Sequence, residues 1–314
     1  MPPDSGVCVV LVYPEALGTY GDRGNALALM HRARARQIPC RVVEVGLHDP
    51  VPRLGDVYLL GGGEDASMVL AWRRLAGDGA LGEAVDRGAA CFGVCAGYQL
   101  LAEAFTGPDG ELREGLGLLD VRCGRLPGAR AVGEVLAESE GVAGAGFLTG
   151  FENHQGSARL GPRARPLGRL ERGTGNGDRR TEGAVQGRVI GTYLHGPALV
   201  RNDRLADHLL ELVVGELPAF DDGAVRLLRA ERLAAVRSAG RPWRRRRRRQ
   251  VAVQPPSIMK EVPVTESVPG PQRKPTSSAT SAGSTSRLIG VRASSTLSST
   301  SSSPMPWLRA WSLI

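Results

Sequence analysis

Residues 89–101 have the sequence Ala89-Ala90-Cys91-Phe92-Gly93-Val94-Cys95-Ala96-Gly97-Tyr98-Gln99-Leu100-Leu101, an apolar strand that runs directly into an apolar helix. Cys95 stands on the turn between them, with Gly93 and Gly97 two residues away on either side. A strand-to-helix turn this tight needs residues without bulk where the chain crosses itself, and it has the geometry of a nucleophile elbow with Cys in place of Ser. The helix directs its N-terminus at the sulfur, which favours thiolate over thiol. We therefore predict that Cys95 is a catalytic nucleophile.

A buried packing role is the alternative for each cysteine, since free cysteines most often fill small apolar spaces. Cys91 fits that role because it lies inside the predicted strand. Cys95 fits it poorly, because alanine would pack equally well at a sheet–helix junction and would not need the flanking glycines.

Short apolar segments alternate with helical patterns on both sides of this elbow. Such short, fully apolar strands are typical of a parallel sheet covered on both faces, and functional groups in these sheets gather at the carboxyl ends of the strands. The pattern predicts strands over residues 7–13, 41–45, 57–60 and 89–92, and helices over residues 25–37, 64–75, 81–87 and 96–105.

A thiol nucleophile needs a base, and the chain has five histidines. His195 follows a strand-like run over residues 188–194, so it should lie at the same sheet edge as Cys95 if the two strands are parallel. His154 stands in the polar cluster Glu152-Asn153-His154-Gln155 between glycines. We predict that His195 is the base and that His154 is its neighbour or a substrate contact.

The 314-residue chain changes character near residue 240. Residues 240–314 carry 13 Lys and Arg against 2 Asp and Glu, whereas residues 1–239 carry 27 against 30 and give no electrostatic case for nucleic-acid binding. We predict a domain over residues 1–240 and a basic, then Ser/Thr-rich, disordered tail over residues 241–314. Five cysteines without a CxxC pair, together with the lack of an export signal or an 18-residue apolar span, predict a cytoplasmic protein.

Four motifs besides the Cys95 turn indicate a known protein family. The chain resembles the class I glutamine amidotransferases of the cobyric-acid-synthase-like (CobB/CobQ) type, and most of all the GatD-type glutaminase subunits of lipid II isoglutaminyl synthases. The likeness covers about residues 6–215 and implies a flavodoxin-like α/β domain. Its motifs are Tyr20-Gly21-Asp22-Arg23-Gly24-Asn25, Gly61-Gly62-Gly63-Glu64-Asp65, Gly150-Phe151-Glu152-Asn153-His154 and Gly191-Thr192-Tyr193-Leu194-His195-Gly196-Pro197.

This resemblance implies a subunit that hydrolyses L-glutamine and passes ammonia to a Mur-ligase-like synthetase in a heterodimer. The partner would amidate D-glutamate in the peptidoglycan precursor lipid II. The chain has no GxxxxGK[ST] phosphate loop, so we expect no cofactor here, and ATP and Mg²⁺ on the partner.

The resemblance also implies roles for individual residues. Cys95 would attack the glutamine amide, and His195 would protonate the leaving ammonia and then activate water. Arg130 would hold the substrate α-carboxylate, with Gln99, Asn153 and Gln155 as further substrate contacts. Backbone N–H groups of Ala96, Gly62 and Gly63 would bind the oxyanion.

One position departs from many class I amidotransferases, in which an acid stands two residues after the histidine. Gly196 and Pro197 follow His195 here, so Asp22, or alternatively Glu152, would supply the orienting carboxylate. Three other functions stay open: the amidotransferase part of a cobyrinate or cobyrate amide synthase, a non-catalytic amidotransferase-like binding module, and a thiol hydrolase on a similar scaffold.

Overall fold

The computed structural model describes residues 6–19 and 21–238, so the predicted tail over residues 241–314 lies outside the described residues. Within the described ranges, no helix is long and apolar enough to cross a membrane. The strands are β1 Val7–Val12, β2 Cys40–Val45, β3 Val57–Leu60, β4 Ala90–Val94, β5 Ala102–Thr106, β6 Leu112–Glu114, β7 Leu119–Arg125, β8 Ala131–Ser139, β9 Phe147–His154, β10 Gly156–Leu160, β11 Gly168–Arg172, β12 Thr181–Glu182, β13 Ala184–Gln186 and β14 Val189–Thr192. The helices are α1 Arg23–Ala35, α2 Asp65–Asp78, α3 Ala80–Asp86, α4 Ala96–Leu101, α5 Ala198–Arg201, α6 Asp203–Val214 and α7 Gly223–Ser238.

The main sheet has six strands in the order β13-β14-β4-β3-β1-β2. All neighbouring strands in it are parallel except the edge pair β13 and β14. Strands β1, β3, β4 and β14 are buried along their whole length, as expected for strands with helices on both faces. The predicted α/β fold with a mostly parallel sheet is therefore confirmed.

The predicted helix over residues 96–105 is wrong beyond Leu101. Helix α4 ends there, and Ala102 begins β5, which pairs with β6 and β7. Strand pairing overrides the helical pattern because it buries Phe105 completely, with its ring edge-on to Trp72 at 6.0 Å. The sequence pattern also gave no sign of the two four-stranded sheets, β10-β7-β5-β6 and β12-β11-β8-β9, which stand between β4 and β14 in the chain.

The elbow glycines are required by close approach between backbone segments. A Cβ atom on Gly97 would lie 2.2 Å from the carbonyl oxygen of Leu60 at the end of β3, and one on Gly93 would lie 2.7 Å from the Gly97 carbonyl carbon. The Gly97 N–H donates a 3.0 Å hydrogen bond to the Gly61 carbonyl. The start of α4 is thus held directly on the end of β3, which brings the glycine turn next to Cys95.

We predict that Gly97→Ala lowers the free energy of unfolding by about 2–3 kcal/mol, because the added methyl group overlaps a backbone oxygen that has no rotamer to move to. Gly82→Ala in α3 is the matched control. A Cβ there meets nothing within 4 Å, and replacing a helical glycine should stabilise the protein by about 0.5–1 kcal/mol. Urea denaturation of the two variants measures both effects, and equal stability of Gly97→Ala and wild type would contradict the close-approach account.

Candidate active site

Cys95 occupies the strained turn between β4 and α4. Its backbone is left-handed, with φ 52° and ψ −102°, a conformation that costs an L-residue about 1–3 kcal/mol. The Cys95 N–H donates a 2.9 Å hydrogen bond to the carbonyl oxygen of Thr192, the last residue of β14. The elbow is therefore held by two neighbouring strands, since β3 supports α4 and β14 supports Cys95 itself.

The Cys95 thiol is not the activated thiolate that the helix N-terminus predicts. Burial and, to a smaller extent, the nearby Asp22 carboxylate raise its pKa to about 12. A hydrogen bond from the Ala96 N–H lowers the pKa of the thiol, but α4 has only six residues and this one bond does not offset the burial. Burial therefore favours the neutral thiol at Cys95.

His195 lies just beyond the carboxyl end of β14, at the same sheet edge as Cys95, because β14 and β4 are parallel. Its backbone is fixed by two hydrogen bonds with Phe151 of β9, at 3.0 and 2.8 Å. Burial, with smaller contributions from the neighbouring His154 and Arg130, lowers the pKa of the imidazole to about 4. His195 is therefore neutral at physiological pH and able to accept a proton.

Glu182 holds the segment that precedes His195 in place through hydrogen bonds, and the sequence analysis did not identify it. One oxygen of its fully buried carboxylate accepts hydrogen bonds from the Thr192 hydroxyl at 2.5 Å and the Tyr193 N–H at 2.8 Å. The Thr192 hydroxyl in turn accepts the Leu194 N–H at 3.0 Å. Nothing in the local sequence around Glu182 marks it, because its partners lie ten or more residues further along the chain.

Asp22 contacts the glycine turn. One carboxylate oxygen accepts the Gly62 N–H at 2.7 Å, and the other accepts the Asn25 side-chain amide at 3.3 Å. The predicted oxyanion role of Gly62 is thus corrected, because its N–H is directed at Asp22. Gly63 lines the cavity at Cys95, so its N–H and that of Ala96 remain the candidate oxyanion donors.

A cavity opens in front of the thiol. Arg130 lies in its wall, and its guanidinium donates to the Asn153 side-chain oxygen at 2.5 Å and to the Asn153 carbonyl at 2.8 Å. Asn153 thereby positions Arg130 and is not itself part of the lining. The cavity is lined by Gly63, Glu64, Asp65, Met68, Cys95, Gln99, Thr106, Gly124, Arg125, Arg130, His154, Gln155 and Gly156.

Both glutamines of the predicted site are anchored through their side-chain nitrogens. Gln99 donates to the Tyr193 hydroxyl at 3.3 Å, and Gln155 donates to the Gly128 and Leu126 carbonyls at 2.9 and 3.2 Å. The sequence-predicted residues Cys95, Gln99, Arg130 and Gln155 therefore meet around one cavity. Among the residues that the structure describes, no group of three His, Cys, Asp or Glu side chains could hold a metal ion.

Glu152, the second candidate for an orienting acid, is held by backbone N–H groups and lies near His154. Its carboxylate accepts the backbone N–H groups of Thr174 and Gly175 at 2.9–3.0 Å and lies 3.7 Å from the His154 ring. Burial alone would raise the pKa of Glu152, but the nearby His154 ring and the hydrogen bonds from the Thr174 and Gly175 N–H groups outweigh it and hold the pKa below its usual value. Glu152 is therefore a carboxylate partner of His154.

Comparison with known proteins identifies a matching family and several relatives of this chain. Residues 8–203 match the CobB/CobQ-like glutamine amidotransferase domain. The chain is 36% identical over 200 residues to the glutamine-hydrolysing lipid II isoglutaminyl synthase subunit GatD of Staphylococcus aureus (strain N315), covering 63% of this chain and 80% of that protein. It is 30% identical over 221 residues to subunit GatD of Streptococcus pneumoniae (strain ATCC BAA-255 / R6), covering 67% of this chain and 84% of that protein. It is also 36% identical over 164 residues to the cobyric acid synthase of Cereibacter sphaeroides, which covers 50% of this chain but 32% of that protein.

We predict that Asp22→Asn accelerates alkylation of Cys95 by iodoacetamide at pH 9 by about 3- to 10-fold. The asparagine oxygen can still accept the Gly62 N–H, but the negative charge that raises the thiol pKa is gone, which should lower that pKa by about half a unit to one unit. Peptide mass spectrometry follows the rate at Cys95. Asp109→Asn, an exposed surface carboxylate, is the control and should leave the rate unchanged. A rate equal to or below that of wild type in a folded Asp22→Asn protein would contradict the electrostatic role.

Proposed function

The chain belongs to the CobB/CobQ-like glutamine amidotransferases, and from this membership we propose that it is the glutaminase subunit of a lipid II isoglutaminyl synthase. Glutamine-hydrolysing amidotransferase activity follows from the family. The finer assignment is supported by two relatives of that name, of which the alignments cover 80% and 84%. The observation that carries the chemistry is the meeting of a cysteine elbow and a neutral, buried histidine at one sheet edge.

The first half of the reaction forms a thioester. The Cys95 sulfur attacks the side-chain amide carbon of L-glutamine while its proton passes to the neutral His195 ring. The oxyanion of the tetrahedral intermediate accepts the N–H groups of Gly63 and Ala96, and each such donor typically lowers the barrier by about 3 kcal/mol. His195 then gives its proton to the departing nitrogen, so ammonia leaves and a γ-glutamyl thioester on Cys95 remains.

The second half of the reaction releases glutamate. His195, again neutral, removes a proton from water as the water oxygen attacks the thioester carbon, and the sulfur recovers that proton. The first half begins from a neutral thiol and a neutral imidazole, and the second begins from the thioester, water and the same neutral imidazole. Because His195 is neutral before the reaction begins, no carboxylate is needed to stabilise a charged imidazole in the resting protein.

Substrate recognition is assigned to the polar side chains around the cavity in front of Cys95. Arg130 can bind the α-carboxylate of glutamine with two N–H groups, and Asn153 keeps its guanidinium in place. Gln99 and Gln155 direct their side-chain nitrogens into the protein, which leaves their carbonyl oxygens as acceptors for the substrate α-ammonium.

The use of the ammonia is assigned to a second polypeptide. We propose a Mur-ligase-like synthetase that binds ATP and Mg²⁺ and amidates D-glutamate of lipid II, in a cytoplasmic heterodimer with this chain. The five cysteines of the chain are free thiols, in keeping with a reducing compartment. A corrin amidotransferase is the alternative, but the match covers only 32% of a cobyric acid synthase, which is a much longer protein.

We predict that Cys95→Ser abolishes glutamate release from glutamine while the thermal melt stays close to that of wild type. The hydroxyl has nearly the volume of the thiol, but its oxygen is a weaker nucleophile than sulfur and a poorer leaving group when water attacks the acyl-enzyme. Cys91→Ser, whose side chain is fully buried inside β4, is the control and should retain activity. The assay is run with the co-expressed synthetase, and amidation of lipid II is followed in parallel.

Substantial activity in Cys95→Ser, or loss of activity in Cys91→Ser without loss of fold, would contradict the assignment of the nucleophile. Glutamate release without lipid II amidation would leave the glutaminase in place and exclude the proposed acceptor.

A further inference from the structure

The chain leaves β14 through a turn that is held by side chains. The Thr192 hydroxyl accepts the Leu194 N–H at 3.0 Å and donates to one carboxyl oxygen of Glu182 at 2.5 Å. The same Glu182 oxygen accepts the Tyr193 N–H at 2.8 Å. All four residues are completely buried. Losing the Glu182 oxygen would therefore leave a buried N–H and a buried hydroxyl without an acceptor, which is unfavourable.

Thr192 links this turn to both reacting residues. Its carbonyl oxygen accepts the Cys95 N–H at 2.9 Å. Three residues further on, the His195 backbone exchanges hydrogen bonds of 2.8 and 3.0 Å with Phe151 of β9. The turn that Glu182 holds therefore begins at the residue that bonds the nucleophile and leads directly to the base.

We propose that Glu182 is a positioning residue for the reaction, because its hold on Thr192 and Tyr193 sets where the His195 segment lies relative to Cys95. A nucleophile and its base must come within hydrogen-bond reach, and a displacement of about 1 Å can lower a rate by about 100-fold. Glu182 ends β12 and is not among the residues that line the cavity in front of Cys95. Its contribution therefore passes through the turn.

Two pairs of substitutions separate this role from packing. In Glu182→Gln the side-chain oxygen can accept the same two hydrogen bonds, whereas Glu182→Met keeps an unbranched chain but offers only a weak acceptor. In Thr192→Ser the hydroxyl is kept, whereas Thr192→Val keeps the branched shape and removes the hydroxyl. Within each pair, one variant keeps the bonds of the turn and the other removes them.

The first measurement is kcat and KM for glutamine hydrolysis by each variant with the co-expressed synthetase. Glu182→Met and Thr192→Val should each lower kcat by about 100-fold and change KM by less than about 3-fold, because the turn contains none of the proposed substrate contacts. Glu182→Gln and Thr192→Ser should keep kcat within about 5-fold of wild type, because both keep the hydrogen bonds. The double variant Glu182→Met/Thr192→Val should lose no more than the worse single variant, since both act on one chain of bonds.

The second measurement follows the turn itself by amide hydrogen exchange in NMR. Glu182→Met should accelerate exchange of the Tyr193 and Leu194 N–H groups by about 10-fold, because one loses its acceptor and the other loses the fixed Thr192 hydroxyl. The amides of β1 should keep their wild-type rates. A general loss of stability would instead accelerate exchange throughout the core.

Glu171→Met is the matched control, because Glu171 is an exposed glutamate of β11, the strand that pairs with β12. It should keep the wild-type kcat and the wild-type exchange rates. A folded Glu182→Met protein with a kcat within about 3-fold of wild type would overturn the proposal. Equal losses of kcat in Glu182→Met and Glu182→Gln, with faster exchange throughout the core, would reduce Glu182 to general structural support and would also overturn it.

The inference rests on the proposed function for the roles of Cys95 and His195. If the wild-type protein with its partner hydrolyses no glutamine, the proposed function fails, but amide exchange still tests whether Glu182 holds the turn. If it hydrolyses glutamine and kcat is the same in all folded variants, the inference fails alone. Thermal melts establish which variants are folded, and if Glu182→Met is not, Thr192→Val and Thr192→Ser provide the same test.

Discussion

The contact of α4 with the end of β3 is the constraint on which the rest of the site depends. Gly97 approaches the Leu60 carbonyl so closely that no side chain fits between them, and its N–H bonds the Gly61 carbonyl. This contact forces Cys95 into a left-handed turn and places the glycine turn beside the sulfur. The Asp22 carboxylate then fixes the same glycine turn from the other side through the Gly62 N–H. Cys95 and the glycine turn are therefore positioned by backbone packing, which leaves them little freedom to rearrange.

Burial, more than any single charge, determines the protonation of the reacting groups. It raises the pKa of the Cys95 thiol and lowers that of the His195 imidazole, so both groups are held in their uncharged forms. In the proposed reaction, charge develops only as the sulfur attacks, and the N–H groups of Gly63 and Ala96 are the proposed donors to the oxyanion.

The features of the site that depend on neighbouring residues could be predicted from the sequence. The glycine frame around Cys95 and the strand-like run before His195 are short-range patterns, and the parallel strands bring them to one edge as predicted. Three features depend on contacts between distant residues and could not be predicted: the early end of α4, the use of the Gly62 N–H by Asp22, and the support of Thr192 by Glu182. The elevated pKa of Cys95 belongs with them, because it reflects how deeply the completed fold buries the sulfur.

The central claim is that Cys95 carries the γ-glutamyl group between the two halves of the reaction. The most direct measurement is to mix the protein and its synthetase partner with glutamine, quench in acid, and locate the adduct by fragment-ion mass spectrometry. Fragment ions are needed because no Lys or Arg separates Cys91 from Cys95, so trypsin leaves both in one peptide. The account predicts a γ-glutamyl thioester on Cys95 that disappears when water is allowed to complete the turnover. An adduct on Cys91, or glutamate release with no enzyme-bound γ-glutamyl group at any quench time, would contradict it.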